Sequence, residues 1–194
     1  MSHREALVSA AEGLLWERGY EAMSPQAVLR ASGAGQGSMY HHFDGKKSLA
    51  IEALARHEAV LWERTMTTLG NREVGAFDAI VAWLNSDRDA LAGCRLGRLV
   101  NESSVRADGE LRAPIARYFE RLHELLIDRI EQAIERGELG RSIDPSVLAD
   151  LLIAVVQGGF VLALATGDDT RVAKATTAAT QLLHCYASEP LGTQ

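Results

Sequence analysis

Residues 24–49, SPQAVLRASGAGQGSMYHHFDGKKSL, decide the fold. Ser24 followed by Pro25 has the form of an N-cap and a first helical residue: the hydroxyl accepts an orphan amide, and proline has no amide to leave unpaired. Ala27, Val28 and Ala31 then form the inner face of a two-turn helix, which Ser32-Gly33 ends because glycine enters the left-handed conformation without strain. A second short helix is expected from about Gln36 to Phe43, with Met39 and Phe43 turned inward at i, i+4 spacing. Between those anchors lie Ser38, Tyr40, His41 and His42, all able to hydrogen-bond. Two short helices across a glycine turn, the second rich in polar side chains, have the layout of a helix-turn-helix. A solvated helical hairpin is the alternative reading.

Outward from this stretch, Ser2 to Glu5 has the form of a capping box, and Leu7, Ala10, Ala11, Leu14 and Leu15 give the following helix an apolar face that ends at Gly19. Ala22 and Met23 are expected to close a small core with Val28, Met39 and Phe43. Lys46 to about Leu69 forms one long helix, with Leu49, Ala53, Leu54, His57, Val60, Leu61 and Met66 at helical spacing. Further helices are expected around Phe77–Leu84, from Gly93-Cys94 through Val100, and from Leu111 to Ile134, where Pro114 either starts or kinks the helix. Leu148–Ala165, behind an Asp144-Pro145 start, is almost wholly apolar yet short for a membrane span of ~20 residues. Thr170–Tyr186 follows, with Val172, Ala175, Ala179, Leu182 and Tyr186 spaced three and four apart. Ser188 to Gln194 reads as a frayed tail. The two last helices, rich in Ala and Gly, suit close packing across a two-fold axis; a monomeric helix pair is the alternative.

The formal net charge of −6 lies wholly in residues 51–194, because residues 1–50 carry five basic and five acidic side chains. A neutral head on an acidic body fits a nucleic-acid reader better than the whole-chain charge suggests. Cys94 and Cys185 have no metal or redox spacing and are expected to be buried, reduced thiols. Gly33-x-Gly35-x-Gly37 lacks the strand and acidic residue of a nucleotide loop. His41 and His42 are helix neighbours and point apart, which argues against a metal. No cofactor is called for, no catalytic pair has a local signature, and the absence of a signal pattern at Ser2-His3-Arg4-Glu5 predicts a cytoplasmic protein without a membrane anchor.

The run Gly33-x-Gly35-x-Gly37-Ser38-Met39-Tyr40-His41-His42-Phe43-x-x-Lys46 closely resembles the DNA-binding domain of TetR-family repressors, over residues 2–50. It departs at Gly35, where that family usually has a hydroxyl cap, and at Gln36, where a lysine is common. The resemblance implies an all-α chain of about nine helices. Residues 1–46 would form a three-helix helix-turn-helix domain, and residues 47–194 a ligand-binding and dimerisation domain whose last two helices make the homodimer. Gln36, Ser38, Tyr40 and His41 would then read base edges, and Gly37 would allow close approach. Ser24, Tyr40, His42 and Lys46 would hold phosphates. The partner would be double-stranded DNA with a palindromic operator.

Trp62, Trp83, Tyr118 and Phe119, with Arg98, Asn101, Glu102, His123 and Gln157, are aromatic and polar groups of the kind that line a small-molecule pocket. Plain core packing is the blander account of each aromatic. The segment from Gly93 to Glu102 followed by Tyr118-Phe119 is similar to the LmrA/YxaF-like branch of the same family, which implies a hydrophobic effector that releases the protein from DNA. A helical ligand-binding dimer without operator-specific binding is one rival, and a small helical enzyme using Cys94, Glu102 or His123 is another.

Overall fold

A computed structural model describes residues 2–187, and every described element is helical. Nine α-helices appear in order: α1 His3–Ala22, α2 Pro25–Ser32, α3 Gln36–His42, α4 Lys46–Thr68, α5 Ala76–Leu84, α6 Ser103–Ala107, α7 Gly109–Glu135, α8 Pro145–Thr166 and α9 Arg171–Ala187. A 3-10 turn, Gly97–Asn101, precedes α6. The segment expected as a helix from Gly93 is therefore only this turn: Gly93 takes a left-handed φ of 75°, which an α-helix does not accommodate. The expected tail, Ser188 to Gln194, lies outside the described residues.

The chain forms two compact units. One contains the chain up to Leu61 together with Arg95–Tyr118, and the other contains Trp62–Cys94 together with the chain from Phe119 onward. In the first unit, α1 packs against α2 and α3. Leu7, Val8, Ala11, Leu15, Val28, Met39, Leu49 and Leu54 are almost wholly buried there, as are Leu96, Leu99 and Val105. Ala22 and Ala31, expected inside, are exposed instead. Ala22 is the last residue of α1, past the non-helical Gly19 (φ 83°), and Ala31 stands in the last turn of α2, where it is exposed although it shares the i, i+4 row of Ala27. Charged groups tie α1 to α4: Arg56 makes two hydrogen bonds to the Glu5 carboxylate, at 2.6 and 2.8 Å, and Arg4 pairs with Glu52.

In the second unit, α8 packs on α9, and α5 also packs on α9. Glu138 caps α5 by accepting from the Phe77 amide at 3.1 Å. Arg129, 2% exposed, closes the end of α4: Nε donates to the Leu69 carbonyl at 2.7 Å and Nη2 to the Asn71 carbonyl at 2.9 Å. A cation at a helix C-terminus meets the negative end of the dipole and satisfies orphan carbonyls together. Gly159 sets the α8–α9 spacing, because a Cβ there would lie 3.0 Å from the Val172 Cα.

Further expectations are corrected. Val60 and Met66 of α4 are exposed, and so is the Cys185 thiol, whereas Cys94 is buried. The buried face of α9 is Val172, Thr176, Ala179 and Leu183, and Leu182 is 61% exposed. α8 starts at the expected Asp144-Pro145, spans 22 residues and, where its apolar run was expected to be short for a membrane span, is apolar enough by length and composition to cross one, although only a third of its most apolar window is buried.

His57 is fully buried in the first unit, with Nε2 3.1 Å from the Glu12 carbonyl. A carbonyl only accepts, so Nε2 carries the proton; Nδ1 meets no partner among the described residues. Burial holds the imidazole below its ordinary value of 6.5, the Glu12 hydrogen bond opposes this, and the positive charge of Arg95 adds to the lowering. A base with a lowered folded-state pKa leaves the unfolded chain binding more protons, so stability is full above about pH 6.5 and falls as pH drops through that value. Urea midpoints are expected to fall between about pH 7.5 and about pH 5.5, and His57→Gln, which keeps a donor but does not titrate, should flatten that slope.

Candidate nucleic-acid interface

The interface is assembled from caps. The Ser24 hydroxyl accepts from the Ala27 amide at 3.1 Å, with Pro25 as the first residue of α2. Gly33 ends α2 at φ 66°, its amide bonded to the Leu29 carbonyl, and Ser32 Oγ accepts the Ala34 amide at 3.2 Å. Ala34 is buried in the turn between the two helices. Gly35 stands at the N-cap of α3 with no side chain to contribute, leaving the first amides of α3 without a side-chain partner. Such amides and the positive end of a helix dipole attract phosphate oxygens.

Met39 is fully buried and Phe43 is nearly so, which fixes the roll of α3. Gln36, Gly37, Tyr40 and His41 are exposed, Tyr40 by 55%, with Gly37 and His41 directly opposite Met39. Ser38 is half-buried, and His42 is exposed at the helix end. The rings of His41 and His42 meet edge-on with centroids 4.9 Å apart, closer than a neighbour pair on a helix was expected to come. No cluster of three metal-ligating side chains surrounds them among the described residues. Arg4 lies 5.4 Å from the centroid of the Phe43 ring.

Two lysines open α4 and differ in what they are free to do. Lys47 is paired with Asp108 at 2.7 Å and with Glu110, and hydrogen bonding to these carboxylates raises its pKa. Lys46 meets no carboxylate at bonding distance among the described residues. Its Nζ donates to the Glu21 carbonyl at 3.2 Å and lies 4.3 Å from the centroid of the Tyr20 ring. Burial lowers its pKa, opposed by the charges of Glu102 and Glu21. Reading the sequence identified Lys46 but missed Tyr20 and Glu21 as its holders, because a contact between residues 25 apart leaves no local pattern.

Within the balance of five acids against five bases in residues 1–50, Arg4 and Lys47 are paired with acids from outside that stretch. Glu5 is committed to Arg56, and Glu21 to the first turn of α6. α3 itself carries no acid.

The residues expected to bind a small molecule divide between the units. Arg98, Asn101, Glu102 and Tyr118 belong to the first, where Arg98 donates to the Trp16 carbonyl and Glu102 accepts amides of α1. Asn101 is exposed and Tyr118 buried. Trp62, Trp83, Phe119, His123 and Gln157 belong to the second. There Arg121 lies over the Trp62 ring at 3.8 Å, Arg88 lies over Trp83 at 5.5 Å, and His123 Nε2 is 3.4 Å from Asp150 and 3.5 Å from Ser146. Phe119 and Gln157 are half-buried. The second unit also has an apolar groove of about 460 Å³ along α8 and α9, floored by Gly158 and Gly159 and walled by Leu148, Leu151, Leu162, Ala175, Ala178 and Leu182. None of the expected ligand-binding side chains lines it.

A rigidly rolled second helix with a polar outer row, behind a capped first helix and a glycine turn, defines a helix-turn-helix protein. Residues 7–53 match the family described as "Bacterial regulatory proteins, tetR family", and residues 74–179 match "Tetracyclin repressor-like, C-terminal domain". The chain belongs to the TetR family of bacterial regulatory proteins; it is a transcription regulator and not an enzyme. It is similar to the HTH-type transcriptional repressor DhaR of Mycobacterium sp. (strain GP1), with 28% identity covering 81% of this chain and 80% of that one. It is also similar to the uncharacterized HTH-type transcriptional regulator YxaF of Bacillus subtilis (strain 168), with 24% identity over 86% of this chain and 87% of that one. The crystal structure of reduced E. coli NemR shares the fold at a TM-score of 0.82 with 23% identity, covering 97% of this chain and 100% of that one.

Removing the α2 cap should show in stability before function. Ser24→Ala leaves the Ala27 amide unpaired and is expected to lower unfolding free energy by about 1 kcal/mol, read from urea titration.

Proposed function

We propose that the protein is a repressor that binds a palindromic operator as a homodimer and is released by a small hydrophobic molecule. The observation that carries this is the outer row of α3, Gln36, Gly37, Tyr40 and His41, held outward by the buried Met39 and Phe43. Gln36 can pair bidentately with an adenine edge, and Gly37 removes the side chain that would keep backbone and duplex apart. Ser38, Tyr40 and His41 complete the base-reading set, and Ser24, Tyr40, His42 and Lys46 fix register on phosphates. Residues 1–46 serve as the DNA head and residues 47–194 as the ligand and dimer domain, in the cytoplasm.

The dimer reading is supported by the apolar face of α8 and α9. Leu151, Leu162 and Leu182 line the groove and are each about half exposed or more, which is an unusual concentration of apolar surface for one face. A second copy laid across the groove buries them and forms a four-helix bundle. The effector enters through the domain carrying Trp62, Trp83, Phe119, His123 and Gln157; binding one conformation of the dimer more tightly shifts it off DNA by that difference in affinity. Arg98 and Glu102 are already engaged by α1, so they are the least available of the residues assigned to the effector.

Selection of duplexes from a random pool at near-physiological salt tests the reading. A two-fold symmetric site should emerge, with binding lost on Tyr40→Ala. A ligand-binding dimer that does not read DNA would enrich nothing, even after unfolding and refolding to strip bound ligand. Lys46→Ala should weaken operator binding and make the salt dependence shallower by about 0.9 in log–log slope, one phosphate contact's worth.

The dimer face has its own test at Gly158, where a Cβ would meet nothing within 4 Å although the residue lines the groove. Gly158→Glu should leave helicity intact, shift the protein to monomer in sedimentation and abolish operator binding. A dimer that persists would place the interface elsewhere.

A further inference from the structure

At Gly19 the chain turns through φ 83° and then continues as one last helical turn to Ala22, which leaves the amides of Tyr20 and Glu21 facing outward from the break. Glu102, the residue between the 3-10 turn and α6, accepts both of them: Tyr20 N donates to Oε1 at 2.9 Å and Glu21 N to Oε2 at 2.6 Å. Glu21 returns the arrangement. Its Oε1 accepts from Ser104 N at 3.2 Å, Ser104 Oγ at 2.9 Å and Ser103 Oγ at 3.1 Å, the first turn of α6. Each carboxylate thus caps the segment that carries the other, in the manner of a capping box split between parts of the chain 81 residues apart. The joint requires a glycine: a Cβ on residue 19 would stand 2.2 Å from Glu102 Oε1.

The two residues Glu102 fixes are the two that hold Lys46. Nζ rests 4.3 Å from the Tyr20 ring centroid and donates to the Glu21 carbonyl at 3.2 Å. An ammonium has three donors, so two stay available for a phosphate. A free lysine stem loses rotamer freedom when it meets an anion, and a lysine already held loses less.

We propose that Glu102 is a positioning residue for DNA binding: by capping Tyr20 and Glu21 it places Lys46, and so lets residues 97–107 set operator affinity without touching DNA. This rests on the reading of Lys46 as a phosphate contact. It gives the segment preceding α6 a function that the reading of Glu102 as a ligand-binding side chain does not.

The test uses the full-length dimer and the operator duplex recovered by selection, titrated across a range of salt concentrations. Glu102→Ala should weaken binding about tenfold and reduce the salt slope by about 0.9, matching Lys46→Ala. The double variant should be no weaker than either single one. Glu102→Gln keeps an oxygen for one of the two amides and should fall between, and Gly19→Ala should reproduce Glu102→Ala. Additive losses, or a Glu102→Ala protein with an unchanged salt slope, would overturn the proposal. Amide exchange, measured without DNA, gives an independent reading: protection at Tyr20 and Glu21 should be lost in Glu102→Ala, and its persistence would also overturn it. If Glu102→Ala does not fold, Glu102→Gln carries both measurements. Failure of the DNA reading itself looks different, because the unsubstituted protein would then bind no duplex.

Discussion

A seven-residue helix has no stability of its own in water, since the nucleus costs more than so few bonds return. α3 exists because Met39 and Phe43 are buried, each contributing roughly 1.5–3 kcal/mol at most. That same burial fixes the rotation of the helix, and in that rotation Gln36, Gly37, Tyr40 and His41 are exposed, as the proposed DNA contact requires. The small residues around it follow from the same constraint. Gly33 makes the turn at φ 66°, Ala34 fits the buried corner, and Gly35 leaves the helix start without a side chain. A larger residue in that corner would push α3 outward and lose the anchors that orient it.

Charge works by the same division of labour. Two of the five acids of residues 1–50 have structural tasks: Glu5 binds Arg56, and Glu21 caps α6 and has its pKa lowered chiefly by the Ser104 amide. Lys47 is neutralised by Asp108 and Glu110, whereas Lys46 is given a carbonyl and an aromatic face, partners that position an ammonium without cancelling its charge. A formally balanced head can therefore show duplex DNA a face whose charges are not balanced, since Coulomb attraction over a Debye length depends on which groups are nearest.

Local patterns were the legible part of this chain. Ser24-Pro25, Gly33, the Met39/Phe43 pair and Asp144-Pro145 each encode their structure within a few residues, and each is found as expected. Residues 93–101 misled because apolar spacing at Leu96 and Leu99 mimics a helix, while the left-handed Gly93 restricts the segment to a 3-10 turn. The joint of Glu21 and Glu102 was illegible for a different reason. Two acids in sequence look like solvated charge, and only folding brings each to the other's open amides.

The apolar spacing of α9 mixes two faces. Val172, Thr176, Ala179 and Leu183 form its buried face, yet Ala175, Ala178 and Leu182 are apolar too and line the groove. The helix carries two apolar stripes at once, so a single-face reading had to choose between them. α8 is the same case carried further: its 22 residues are apolar enough for a bilayer, but Gly158 and Gly159 flatten one side and Asp150 marks one end. In water or in lipid, glycine permits the close backbone approach that a helix needs when it must meet another helix. The excess of apolar surface on α8 and α9 is what the proposed dimer would use: one stripe packs within the unit, and the other is the stripe that a second copy would cover.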